Sequence, residues 1–225
     1  MEAKICASIG ASTIGELREK RERALRLGAD LVELRLDYLS KIEVDVVSSL
    51  VREFSEKIVI TLRPTWEGGY FSGREEERIK LLLEMVEAKP AYVDVELDVR
   101  DLEEISGKVG EETSLIISKH DFEGSLTREQ LKALAARALE FGGIAKVVTT
   151  ANSFSDNLKI LSLYEELPPE RLIAFAMGER GVVSRVLSPI MGAPIAYACL
   201  PGEVVAPGQL TIGDFRGLLK LVRGR

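Results

Sequence analysis

A single histidine, His120, stands in a chain of 225 residues. That scarcity excludes a metal centre built on several imidazoles. The two cysteines, Cys6 and Cys199, lie far apart inside apolar runs. They form neither a CxxC motif nor a disulfide framework, and read as buried thiols of a reducing compartment. No apolar run reaches the ~18 residues of a membrane span, and no basic segment followed by an apolar one opens the chain as a secretory signal would. The expectation is a cytoplasmic protein that does not enter a membrane. Positive charge is also in deficit, 30 Lys and Arg against 36 Asp and Glu, net −6. This argues against a general nucleic-acid surface, while a local arginine cluster can still hold a small anion. Asn and Gln number only four (Gln130, Asn152, Asn157 and Gln209), a composition that leans towards a heat-adapted source. The first strand-to-helix turn lacks GxGxxG, and no Gly-Lys-Ser/Thr follows the glycines at 10 and 15, so neither a dinucleotide nor a P-loop fold is indicated.

What the chain does contain is alternation. Short apolar runs at 4–9, 29–37, 58–63, 92–97, 114–120, 142–149, 171–176 and 194–198 read as strands. Between them lie amphipathic stretches at 13–28, 44–54, 73–89, 101–106, 127–141, 153–166 and 181–187, and a last one at 212–222 closes the chain. Thr127 is the expected N-cap of its helix. No Pro/Gly/Ser-rich linker interrupts the series. Strands separated by helices pair in parallel through right-handed crossovers. Eight of them in this length favour a single (β/α)₈ TIM barrel, an α/β fold, as one catalytic domain over residues 1–225.

The sixth strand carries one lysine, Lys146, between Ile144-Ala145 and Val147-Val148. A buried ammonium finds a carboxylate, snorkels out or loses its proton, and a neutral amine can attack a carbonyl to form a Schiff base. By itself the run fits a structural ion pair. In a barrel the chemistry gathers at the C-terminal ends of the strands, and there the sequence places Glu33, Arg35, Asp37, Arg63, Glu67, Glu96, Asp98, His120, Asp121 and Arg185. The Glu33–Arg35–Asp37 alternation reads as a buried ion network, and the acids at 94, 96 and 98 as partners for arginines rather than as a cation site. A strand-end histidine suits acid–base work near neutral pH. Arg185, after a glycine-flanked loop, suits anion capture. Lysine nucleophile, acid–base histidine and anion-binding arginine form one chemical set.

Those residues also carry a resemblance. Val32-Glu33-Leu34-Arg35-Leu36-Asp37, Thr61-Leu62-Arg63 with Glu67-Gly68-Gly69, Ser118-Lys119-His120-Asp121-Phe122, Lys146, Met177-Gly178 with 181–185, and Ala206-Pro207-Gly208-Gln209 together resemble type I 3-dehydroquinate dehydratase, in order and over nearly the whole chain. The resemblance implies a homodimeric shikimate-pathway lyase that converts 3-dehydroquinate to 3-dehydroshikimate with no metal or organic cofactor. It implies that Lys146 forms the imine, that His120 moves the proton, and that Glu67 orients His120 or touches substrate. Arg185 would pair with the substrate carboxylate, Glu33, Arg35, Arg63 and Gln209 would hold its hydroxyls, and Ser8, at the end of strand one, would make a further substrate contact. Val205 departs from the pattern, since relatives often carry a serine before Ala-Pro-Gly-Gln. The stretch 200–209, rich in Pro and Gly, would be a mobile lid. The competing expectations are a Schiff-base aldolase on the same barrel and a non-catalytic binding barrel.

Overall fold

The computed structural model describes residues 2–223, so Met1, Gly224 and Arg225, at the ends of the expected domain, lie outside it. Eight strands appear in chain order: β1 (Lys4–Gly10), β2 (Leu31–Arg35), β3 (Ile58–Thr61), β4 (Tyr92–Glu96), β5 (Ser114–Asp121), β6 (Ile144–Thr150), β7 (Leu172–Met177) and β8 (Ile195–Ala198). Between and after them run α1 (Ile14–Arg26), α2 (Val44–Arg52), α3 (Glu75–Val86), α4 (Leu102–Lys108), α5 (Arg128–Glu140), α6 (Asp156–Leu161), α7 (Val182–Ile190) and α8 (Ile212–Arg223). All strand pairs are parallel, in the order β7-β6-β5-β4-β3-β2-β1-β8. The fold is the expected (β/α)₈ TIM barrel. No helix among the described residues is long and apolar enough to cross a membrane.

The pleat explains why the strands read as apolar runs interrupted by charge. Successive side chains point to opposite faces. Val32, Leu34, Ile60, Val93, Val95, Ile117, Ala145, Val147 and Ala174 face outward into one apolar cluster with the helices. The inward set splits into two levels. Cys6, Leu31, Val59, Ile116, Ile173 and Ile195 belong to an apolar interior cluster. Above it lies a polar belt, with Ser8 opposite Glu33, Thr61 opposite Asp94, Glu96 opposite Ser118, and Ser118 opposite Lys146.

Two differences from the sequence reading have clear causes. The second strand ends at Arg35 and turns into a short 3₁₀ segment, Leu36–Tyr38, so Asp37 leaves the strand and folds back to accept two bonds from Arg35, at 2.9 and 2.7 Å. The amphipathic stretch at 153–166 is a six-residue α-helix continued by a 3₁₀ turn. Thr127 caps α5 as expected, within a reciprocal capping box with Gln130.

No hydrogen-bonded ladder joins β7 to β8 among the described residues, so the barrel is nearly rather than fully closed. Side chains stand in for the missing partner. The Ala174 N–H donates to the Tyr164 hydroxyl at 2.7 Å, and the Ala176 N–H to Ser184 Oγ at 2.8 Å. The strand edge is thereby satisfied without a neighbour. Near the C-terminal end of this seam, Gly178 N–H donates to Pro207 O at 3.2 Å, which ties the β7 loop to the Ala206–Gln209 loop. Gly208 makes that contact feasible, because its φ is +74° and a Cβ there would stand 2.4 Å from Gly178 O.

Candidate active site

A cavity of about 130 Å³ opens at the C-terminal ends of the strands. Ser8, Glu33, Arg35, Arg63, Glu67, His120, Lys146, Arg185 and Gln209, the nine residues singled out in the sequence, all line it. Val148, Phe175, Met177 and Tyr197 complete its apolar wall.

Lys146 is 5 % exposed. Its Nζ donates to Asp94 Oδ2 at 2.8 Å, lies 3.9 Å from Glu33 Oε1, and sits 4.2 Å from the centre of the Tyr197 ring. Asp94 is shared, since its other oxygen accepts from Arg63 Nη2 at 2.7 Å and Ser118 Oγ at 2.6 Å. Burial opposes ionisation of Asp94, yet the positive charges of Arg63 and Lys146 prevail and hold its carboxyl well below the usual range. Arg63 also donates from Nη1 to Glu96 and to Ser118, both at 2.7 Å. Both terminal nitrogens of Arg63 are therefore engaged inside the belt. Glu33 accepts from Ser8 at 2.5 Å and from Thr61 at 2.9 Å.

His120 faces the cavity from the end of β5. Its Nδ1 lies 2.8 Å from Glu67 Oε2, and its backbone N–H donates to the same oxygen at 2.9 Å. A carboxylate accepts at Nδ1, so the proton of the neutral ring resides there and Nε2 keeps a free lone pair. Burial is the main influence on this imidazole, helped by the nearby charges of Arg63 and Lys146. Together they outweigh the pull of Glu67 and push its pKa down to about 4. His120 is thus a neutral base across the physiological range. Glu67 is itself positioned by the Glu-Gly-Gly turn. Gly68 has φ +74°, and a Cβ there would lie 2.4 Å from the Phe122 ring, which stacks beside His120 at 5.9 Å.

The histidine makes a stability prediction. Its folded pKa lies below its unfolded value of about 6.5. As pH falls through the interval from 6.5 to 4, the unfolded chain takes up a proton that the folded chain refuses, so stability declines with acidification. The loss from this one group approaches about 3 kcal/mol below pH 4. Urea unfolding at pH 7 and pH 4.5 should show a smaller drop in His120→Gln than in wild type. Equal drops would contradict this account.

Arg185 is 3 % exposed and stacks 4.4 Å from the Phe175 ring centre. It donates to Pro207 O at 3.0 Å, its Nε has no partner, and no carboxylate of the described residues pairs with it. Burial pushes its pKa down to about 10, which still leaves it charged at neutral pH. An unpaired buried cation on a cavity wall is a site for an anion. Gln209 accepts the N–H groups of Val205 and Ala206 at 3.0 and 3.1 Å, so its carbonyl shapes the loop.

Asp94 as the lysine's partner, Thr61 and Ser118 within the belt, and the Tyr197 ring were not assigned to the site from sequence. The signal was available for the first three, since each falls on the inward face of its strand. Tyr197 carried no polar alternation that would have marked it.

A (β/α)₈ barrel with a buried lysine, a neutral histidine and an unpaired arginine around one cavity has the make-up of a barrel enzyme, with a cation placed to receive an anion. Comparison with known proteins gives the family. Residues 5–225 match the family described as Type I 3-dehydroquinase, and the chain belongs to it. The chain is 42% identical over 224 residues to the 3-dehydroquinate dehydratase of Desulfotalea psychrophila, covering 96% of each chain. It is 39% identical to that of Methanopyrus kandleri, covering 97% of this chain and 99% of the other. Among solved structures, the 3-dehydroquinate dehydratase of Geobacillus kaustophilus superposes with a TM-score of 0.89 at 27% identity, covering 100% of this chain and 92% of that one. The Aquifex aeolicus enzyme gives 0.83 at 28% identity, with 97% and 98% covered.

Proposed function

We propose that this chain dehydrates 3-dehydroquinate to 3-dehydroshikimate by syn elimination through an imine on Lys146. Family membership supports the reaction and its place in the shikimate pathway. The observation that carries the mechanism is that Lys146, the free Nε2 side of His120 and the unpaired Arg185 border one cavity.

In this reading the substrate carboxylate docks on Arg185, while Ser8, Glu33, Arg35, Arg63 and Gln209 serve its hydroxyls. Lys146 gives up its ammonium proton and adds through its nitrogen to the C3 ketone; that proton then leaves with the carbinolamine hydroxyl as water, which gives the iminium. That cation withdraws electrons from C2, so His120 Nε2 takes the C2 proton at neutral pH. Glu67 balances the resulting imidazolium. The electrons left at C2 expel the C1 hydroxyl, which leaves as water with the proton that His120 has just received. Hydrolysis of the iminium then frees the product and the amine. None of these steps calls for a metal or an organic cofactor. The barrel works as one catalytic domain, a cytoplasmic homodimer. Exposed Phe154, Leu158 and Val183 on and beside neighbouring α6 and α7 support a subunit contact there.

Borohydride reduction tests the mechanism. Treating the enzyme with 3-dehydroquinate and borohydride should leave an adduct of reduced ligand mass on the peptide that contains Lys146. Product formation without any such adduct would overturn the imine while keeping the reaction.

A further inference from the structure

Lys119 has no role in the steps above, yet it holds the other half of Glu67. The pleat turns it away from His120, its neighbour on β5, but its Nζ reaches back to Glu67 Oε1 at 2.6 Å. Glu67 is 2 % exposed, and its two oxygens are divided between Lys119 on Oε1 and the backbone N–H and Nδ1 of His120 on Oε2. Lys119 is steadied by Asp98 Oδ2 at 3.0 Å, and Asp98 in turn faces Arg137 on α5 at 3.8 Å.

This grip has two consequences. With Oε1 occupied, the carboxylate cannot rotate to offer its other oxygen to the imidazole. With an ammonium on the same carboxylate, less of its negative charge is available to stabilise an imidazolium. A histidine touching a carboxylate alone would be biased towards the protonated form. The other charges facing His120 are Arg63, just past the end of β3, and Lys146 from β6, which oppose its protonation. Asp94 and Glu96 from β4 are paired with Arg63, Lys146 and Arg78, and Arg185 reaches the cavity from α7.

We propose that Lys119 is a positioning residue for His120: by taking one oxygen of Glu67 it fixes the other on Nδ1 and keeps Nε2 open to the cavity. The inference rests on His120 being the acid–base group of the proposed reaction. It concerns how that group is set rather than whether it acts.

His120 is the only histidine in the chain, so one imidazole signal in nitrogen–proton NMR reports its titration and tautomer without any assay. The wild type should show the Nδ1–H form and a midpoint near 4. Lys119→Met and Lys119→Gln should raise the midpoint by about half to one pH unit, a size expected for losing one partly screened charge at this range. They should also admit the other tautomer. Lys119→Arg should stay close to wild type. In a Glu67→Gln background the Lys119→Met shift should shrink by at least half, because the effect passes through that carboxylate. The acid limb of kcat/KM should move upward with the NMR midpoint. An unchanged midpoint and tautomer in both neutral variants, or a shift of full size without Glu67, would overturn the proposal. Because the NMR result does not depend on turnover, failure of the proposed reaction would be recognised separately, by absence of the borohydride adduct.

Discussion

Replacing Lys146 with alanine should leave a folded barrel whose kcat for 3-dehydroquinate is lower by ~10⁴-fold or more, the scale expected when a covalent electron sink is removed. The fold should survive, because Asp94 keeps Arg63 and Ser118 when the lysine is lost, with Arg63 2.7 Å away. The buried carboxylate is therefore left with one cation and one hydroxyl rather than stranded. Lys146→Arg is the sharper variant. It preserves the positive charge beside Asp94 and Glu33, but guanidinium does not give up its proton in the working range and cannot form the imine. If the lysine served only as an ion-pair partner, arginine would restore most of the activity. If it is the nucleophile, arginine should be as inactive as alanine, and neither variant should trap ligand with borohydride. Steady-state rates and intact-mass spectra decide between the two. A kcat within tenfold of wild type in Lys146→Arg would remove the covalent mechanism.

Much of this was legible in the sequence because a barrel strand writes two messages at once. Outward positions such as Val93 and Val95 must be apolar to meet the helices, and inward positions such as Asp94 and Glu96 are free to carry the site. Alternation within one run thus shows both the fold and the face on which the chemistry lies. What alternation cannot show is partnership. The acids of β4 were expected to pair with arginines, and Arg63 does bind Asp94 and Glu96. That Asp94 also holds Lys146 depends on registers spanning three strands, which no local pattern encodes. The same limit explains the open seam. Tyr164 and Ser184 substitute for a neighbouring strand, and nothing in their local sequence distinguishes them from ordinary helix-layer residues. Arg63 is the instructive middle case: it lines the cavity as expected, but its terminal nitrogens already serve the belt.

Arg63→Met should consequently lower stability more than any contact with substrate would imply, by about 3–5 kcal/mol, the range for breaking a buried charge network from one side. For a chain of this size that corresponds to a fall in Tm of roughly 10–15 °C. The variant leaves Asp94 with Lys146 as its only cation and Glu96 with Arg78, 2.7 Å away. The sign of the pH dependence follows from Asp94. In the wild type its folded pKa lies below the unfolded value, so ionisation contributes stability that persists until strongly acid pH. Without Arg63, the unfavourable effect of burial, already the largest single influence on this carboxyl, is opposed by much less. The folded state then prefers the protonated acid, and its deficit grows as pH rises. The stability gap between wild type and Arg63→Met should therefore narrow between pH 7 and pH 4.5 in urea unfolding, whereas loss of mere packing would give a gap independent of pH. Catalysis should suffer along with stability. When the ammonium of Lys146 becomes an iminium it keeps one N–H in place of three, and Arg63, bonded to the other oxygen of Asp94, keeps that carboxylate ionised and in place through the change. In Arg63→Met burial drives Asp94 towards its protonated form, and the carboxylate that positions the lysine nitrogen is weakened. The expected result is a fall in kcat, with slower appearance of the borohydride-trapped adduct. A variant that traps ligand at the wild-type rate would show that Arg63 serves the fold alone.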